Sequence, residues 1–219
     1  MSQLRIKRLL VLAAAGLLWS GVPFAADEHE HHHPAEAADP HAAHKAAAAQ
    51  SSGSEAAQVR LTDTALVTQD GKPVKFKSDV LGEKIVVIDF VYTTCTTVCP
   101  VVSALFANLQ ERLGPDLGKE VALVSVTVDP LRDTPQRLKE LGAKYKAGPG
   151  WTFLTGKKPQ VDEVLKAFGA YTANFAEHPP LVMVGDAKSG QWVRFFAFTS
   201  PDQVMAAVGD LRAARHNHN

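Results

Sequence analysis

Residues Ile85 to Tyr92 read Ile-Val-Val-Ile-Asp-Phe-Val-Tyr, a near-continuous run of β-branched and aromatic side chains. Such a run offers no polar face, so it predicts a strand buried on both sides, of the kind found in the middle of a sheet covered by helices. The next residues are equally restrictive. Thr93-Thr94-Cys95-Thr96-Thr97-Val98-Cys99-Pro100 leads into a stretch where Val102, Leu105, Leu109 and Leu113 recur at helical spacing. A strand–loop–helix unit of this kind puts its loop at the carboxyl end of a central strand, where functional groups gather in open α/β sheets.

The remaining pattern extends that unit. Asp70-Gly71 between two short extended stretches, within Leu66 to Phe76, predicts a hairpin. Val121 to Val128 is a second buried strand, and Thr134-Pro135 opens a helix reaching about Lys146, with threonine as cap and proline at the first helical position. Trp151 to Leu154 predicts a strand, Pro159 to Phe168 a helix, Leu181 to Val184 and Gln191 to Phe196 two strands, and Ser200 to about Arg212 a last helix. Strands alternating with helices imply a central mixed sheet with helices packed on it. The fold class is therefore α/β. The order is similar to a thioredoxin-like fold with an N-terminal β-hairpin.

The amino end belongs to a different class. Arg5, Lys7 and Arg8 precede an apolar run from Leu9 to Trp19, and small residues continue up to Ala25 and Ala26. That is the layout of a secretory signal, and the run is short for a membrane span of about 20 residues. Two readings stand for residues 1–26, a cleaved signal peptide and an uncleaved N-terminal anchor. Both place the protein outside the cytoplasm, in the periplasm. Residues 27–55 are rich in Ala, His, Asp and Glu with no apolar period, which predicts a disordered linker. Its histidines, His29, His31, His32, His33, His41 and His44, form a weak auxiliary metal site, since clustered imidazoles take up divalent metals with little selectivity. Residues 56–213 form the folded domain and 214–219 a disordered tail. Lys plus Arg and Asp plus Glu both number 23, so no net positive charge argues for a nucleic-acid partner.

The chain has two cysteines, Cys95 and Cys99. A small exported scaffold held by disulfides would show several separated pairs, whereas one close pair points to a site. A helix N-terminus favours the thiolate and lowers its pKa. If both residues lay on a regular helix, their Cβ atoms would be about 5–6 Å apart, against about 3.5–4.5 Å for a disulfide. Closure then requires Cys95 to sit in the loop before the helix, while a metal ion tolerates the longer separation.

Cys-x-x-x-Cys-Pro after this strand resembles the motif of the Sco/SenC family. The resemblance continues through Val128-Asp129-Pro130-Leu131-Arg132-Asp133-Thr134-Pro135, Phe153-Leu154-Thr155-Gly156 and a late histidine before a strand. It covers about Val59 to Val208. It implies a copper-binding metallochaperone for the copper centre of cytochrome c oxidase, with Cys95, Cys99 and His178 as ligands of Cu(I) and Cu(II). The implied partner is the copper-recipient oxidase subunit or another cuproprotein. A membrane enters only through the N-terminal anchor.

His178 lies in Glu177-His178-Pro179-Pro180, directly before a predicted strand, and is the one histidine inside the domain. In the family the histidine is commonly followed by Ser or Thr, and here by Pro179. Two thiolates and an imidazole suit soft copper, with zinc also chemically compatible. In the family the acidic loop lies near the metal, which makes Asp129 a candidate for the shell around it, with a purely structural role in the turn as the equal alternative. For Asp133, capping of the next helix is the expected role. An enzymatic alternative uses Cys95 and Cys99 as the redox dithiol of a thiol-disulfide reductase that keeps the recipient's cysteines reduced. A peroxidase would need an arginine beside the reactive cysteine, and the nearest downstream in sequence are Arg112 and Arg132.

Overall fold

The computed structural model describes residues 53–196 and 198–217. The signal or anchor of residues 1–26, the histidine-rich linker and its metal site lie outside them, apart from the linker's last three residues. In chain order the elements are β1 (Ser54–Ala57), β2 (Ala65–Thr68), β3 (Pro73–Lys75), β4 (Ile85–Val91), α1 (Cys99–Leu113), β5 (Val121–Thr127), α2 (Pro135–Lys144), β6 (Trp151–Thr155), α3 (Lys158–Ala167), β7 (Leu181–Asp186), β8 (Trp192–Phe196) and α4 (Pro201–Asn217). All eight strands join one sheet in the order β1-β8-β7-β4-β5-β6-β2-β3. Strands β4, β5 and β6 are parallel, and the other pairings are antiparallel.

The continuous apolar runs become the centre of the sheet. Every residue of β4 and of β5 is buried. Alternation along β4 divides two cores. Val86, Ile88 and Phe90 point into a cluster with Phe76, Leu165 and Phe168. Ile85 and Val87 point to the opposite face, among Val102, Phe106 and Leu109 of α1, Leu138 of α2, and Val204, Val208 and Leu211 of α4. Each such side chain contributes about 1.5–3 kcal/mol when fully buried. The α1 face therefore pins the cysteine helix over the strand that leads into it.

Several local expectations need amendment. β1 forms from Ser54, within the stretch expected to be linker, because its backbone pairs with the edge of β8 from Ser54 opposite Phe195 to Ala57 opposite Trp192. α4 runs on to Asn217, past Arg212. Arg215 in its last turn forks onto Asp186 at the end of β7, with Nε and Nη2 contacts of 2.9 and 2.5 Å. Gly185 has a steric reason to be glycine, since a Cβ there would fall 2.1 Å from the ring of Trp192, its partner across the ladder.

Candidate metal centre

β4 ends at Val91 and α1 begins at Cys99, which leaves Cys95 in the connecting loop. The separation expected for two cysteines on one helix therefore does not apply. Both thiols are free. The Cys95 sulfur accepts the backbone N–H of Cys99 at 3.3 Å, so it occupies the place of a cap at the amino end of α1. The first turn of α1 carries no acidic residue, and the thiolate is the anion that this end receives. Burial alone would raise Cys95. The Cys99 thiol, the N–H groups of Cys99 and Thr97 and the Tyr92 hydroxyl outweigh it and bring Cys95 down to about 7.

Cys99 is the opposite case. It is 5 % exposed, and burial, reinforced by its contact with Cys95, drives its thiol far up. Burial also raises Tyr92 to about 12, aided by its bond to Cys95, so this phenol stays protonated as a donor.

His178 follows a short 3₁₀ turn, Phe175–Glu177, and precedes β7. Its ring meets Tyr92 edge to face at 5.7 Å, and Tyr92 meets Phe175 in the same way at 5.2 Å. Nδ1 faces the Pro179 carbonyl at 3.3 Å, while Nε2 is buried without a hydrogen-bond partner. Burial lowers the pKa of the ring, so the imidazole is neutral and a competent ligand. Among the described residues no three His, Cys, Asp or Glu side chains stand close enough to hold a metal ion. The two thiols stand together, and His178 packs on Tyr92, whose side chain lines the cysteine cleft.

The acidic loop departs from expectation at Asp133. Thr134, not Asp133, caps α2, accepting the Arg137 N–H at 3.3 Å. Asp133 is 1 % exposed and ties two strand ends together. It accepts the N–H of Thr93 at 3.2 Å and the hydroxyls of Thr93 and Thr127 at 2.5 and 2.6 Å. These charge-assisted bonds fix the start of the cysteine loop against β5. Asp129 is buried, pairs with Arg132 at 3.1 Å and accepts the N–H groups of Arg132 and Asp133 with its carbonyl, in a turn. The Arg132 guanidinium lies 5.5 Å from the centre of the Phe175 ring.

The family model for SCO1/SenC matches residues 54–210. The chain belongs to the SCO1/SenC family. A SCO1 protein homolog of Bacillus subtilis is 37% identical over 105 residues, covering 47% of this chain and 53% of that protein. The chain thus spans about half the length of that relative. ScoI of Bradyrhizobium japonicum, solved with copper bound, aligns with a TM-score of 0.56 and 26% identity over 67% of this chain and 96% of that one. BsSco, a member of the Sco family of cytochrome c oxidase assembly proteins in which a disulfide switch has been identified, aligns at 0.60 with 26% identity, covering 73% and 95%. The thioredoxin-like fold expected from the sequence is the fold of this family.

Within this Sco chain the structure brings three residues to the site that sequence reasoning overlooked. Tyr92 ends the strand run and reads as a core aromatic, yet its hydroxyl serves Cys95. Arg137, five positions beyond the arginine noted in the sequence, lines the same cleft as Cys95 and Cys99. No linear spacing shows this, because α2 returns to the cysteine helix only through the fold. Asp89 shares its face of β4 with Ile85 and Val87, beneath α1. Both its carboxylate oxygens are buried without hydrogen-bond partners, and burial pushes its pKa up to about 7. An acid inside a buried strand run was the available signal.

Proposed function

We propose that this chain is an exported copper carrier that binds copper through Cys95, Cys99 and His178. It would release the metal by ligand exchange to the copper-recipient subunit of cytochrome oxidase or to another cuproprotein. The observation that carries this reading is the pairing of a thiolate held near neutral pKa with a second thiol beside it. Across Tyr92 stands an imidazole whose Nε2 makes no other bond. Two sulfurs and a neutral imidazole suit Cu(I), and hold Cu(II) with an added ligand. Residues Ala170 to Pro180 contain only the short 3₁₀ turn Phe175–Glu177 between α3 and β7, and a shift of this segment would be what brings His178 to the metal. The copper-bound Bradyrhizobium relative supports the cargo. The periplasm is the proposed compartment.

A second reading, thiol-disulfide exchange, is favoured by one observation, the split in acidity between the two thiols. A sulfur near pKa 7 attacks, and a buried neutral partner resolves. The disulfide switch of BsSco supports it. Anaerobic copper titration separates the two. The chain with its six linker histidines replaced by asparagine should bind one copper tightly. Cys95→Ser or Cys99→Ser should abolish that binding, and His178→Ala should weaken it about tenfold or more, since loss of even a residue that only orients a ligand costs about 10–100-fold. Undiminished one-to-one binding by the double serine variant would refute the copper site.

A further inference from the structure

The cleft that holds Cys95 and Cys99 has a second wall, which the copper site does not use. Its volume is about 340 Å³, at the lower end of the range for small-molecule sites. On the α1 side Pro100 and Ser103 carry no charge, and the first turn of that helix has no acidic residue. The opposite wall is α2, which presents Arg137, Glu140, Leu141 and Lys144. Positions three, four and seven apart share one face of a helix. Arg137 and Lys144 are about 10.5 Å apart along the axis, a span of about three extended residues. The neighbouring cations Arg132 and Lys139 are each paired with a carboxylate, Asp129 and Asp70. Among the described residues neither Arg137 nor Lys144 has such a partner. Arg137 gives one N–H to the Arg132 carbonyl at 3.3 Å, which leaves the rest of its fork open, and the Lys144 ammonium lies 5.5 Å from the centre of the Tyr145 ring. Glu140, the carboxylate on this wall, is engaged by Gln136 at 2.9 Å. A reactive sulfur and two unpaired cations therefore line one small cleft.

We propose that Arg137 and Lys144 form an anion subsite that selects, as exchange partners of Cys95, small thiols and disulfides carrying carboxylates. This rests on the thiol-disulfide reading above. A guanidinium takes a carboxylate through two parallel bonds, which fixes orientation as well as adding attraction, and the ammonium of Lys144 receives a second acidic group farther along the cleft. The Cys95 sulfur attacks one sulfur of the bound disulfide. A bond forms between them, the old sulfur–sulfur bond breaks, and the other half leaves as a thiolate. Cys99 then attacks the Cys95 sulfur, its proton goes to the departing second half, and the Cys95–Cys99 disulfide closes. The protein dithiol is oxidised and the small disulfide is reduced to two thiols, so the disulfide itself is the oxidant; the reverse reaction passes through the same mixed disulfide.

The test follows reduced, metal-free full-length chain reacting with two disulfide probes by the absorbance of the released thiol. One probe is 5,5′-dithiobis(2-nitrobenzoate), which has a carboxylate on each half, and the other is 4,4′-dithiodipyridine, which is uncharged at pH 7. The readout is the ratio of the two second-order rate constants. An exposed ion pair contributes up to about fivefold, so the ratio of anionic to neutral probe should fall about tenfold in Arg137→Gln/Lys144→Gln. Arg137→Lys/Lys144→Arg, which keeps both charges, should retain most of the ratio. Raising salt from about 0.1 to 1 M shortens the screening length from about 10 to 3 Å and should lower the ratio in the native chain. A ratio unchanged in the glutamine variant, or lost equally in the charge-preserving one, overturns the subsite and leaves the exchange reading standing. Failure of the native chain to react with either probe overturns the exchange reading and the subsite with it.

Discussion

Replacing Asp89 by asparagine should change how stability depends on pH, by an amount the structure fixes. Asp89 is fully buried, its oxygens have no partner, and burial raises its pKa from 3.8 to about 7. In the unfolded chain the carboxyl ionises near 3.8, while in the folded domain it keeps its proton until about 7. Between those values the folded state binds the extra proton, so stability falls as pH rises, and the loss is complete above about 7. The interval is worth roughly 4 kcal/mol at 1.36 kcal/mol per pH unit. Asparagine cannot ionise, and its own burial penalty of about 1–3 kcal/mol does not vary with pH. Urea denaturation of both proteins with reduced cysteines, at intervals from about pH 4 to 8 and followed by tryptophan fluorescence, isolates the difference. The stability of Asp89→Asn relative to the native chain should rise by about 4 kcal/mol from pH 4 to 8, nearly all of it below pH 7. A difference that stays flat across the range would show that Asp89 is ionised or solvated in the folded domain.

Neighbouring contacts lead to three further expectations. Iodoacetamide should label Cys95 with a midpoint near its pKa of about 7 and leave Cys99 unlabelled through about pH 9; equal labelling of both thiols by mass spectrometry would contradict the assigned asymmetry. At Asp186, burial acts upward but Arg215 and the Lys188 N–H hold the carboxyl down to about 2, a stabilisation present above about pH 4 and lost as pH falls toward 2. Arg215→Ala should therefore lower stability at pH 7 by about 2 kcal/mol, with the deficit shrinking below about pH 4 in the same denaturation assay. Gly185→Ala drives a methyl into Trp192 and should lose about 3 kcal/mol, partly recovered in Gly185→Ala/Trp192→Leu; a neutral single variant in thermal melts would refute the clash.

The parts of the fold that rest on local chemistry were readable from the sequence, and the parts that rest on contacts across the fold were not. β4, β5 and the cysteine helix follow from apolar runs and helical spacing, and Pro135 with Thr134 marks the start of α2. β1 escapes because Ser54-Glu55-Ala56-Ala57 has little preference for strand and is ordered by the free edge of β8. The end of α4 escapes because Arg215 meets Asp186 from 29 residues away. At the site, the cysteines and His178 were legible as residues, but their arrangement was not. Asp133 and Thr134 are both good caps by type, and only Thr93 and Thr127, met through space, show that Asp133 does something else. Tyr92 reads as core until the fold sets its side chain on the cleft it lines with Cys95 and Cys99.

The two thiols owe their difference to a step of four residues along the chain, from the loop into the helix. Cys95 stops short of α1, where the unpaired N–H groups converge, and it is held as the anion that end accepts. Cys99 is the first residue inside the helix and is buried, with the charge of Asp89 adding to the factors that raise its thiol. At neutral pH Cys95 is about half ionised and Cys99 keeps its proton, so the pair carries at most one negative charge rather than two. Any chemistry that uses both sulfurs, whether they bind a copper ion or close a disulfide, must first remove the proton of Cys99. Copper carriage and dithiol exchange therefore compete for the same deprotonated pair, and a bound metal blocks exchange while a closed disulfide blocks the metal. The proposed copper reading and the proposed redox reading describe alternative occupants of one site, and the oxidation state of Cys95 and Cys99 decides which of them the site can take.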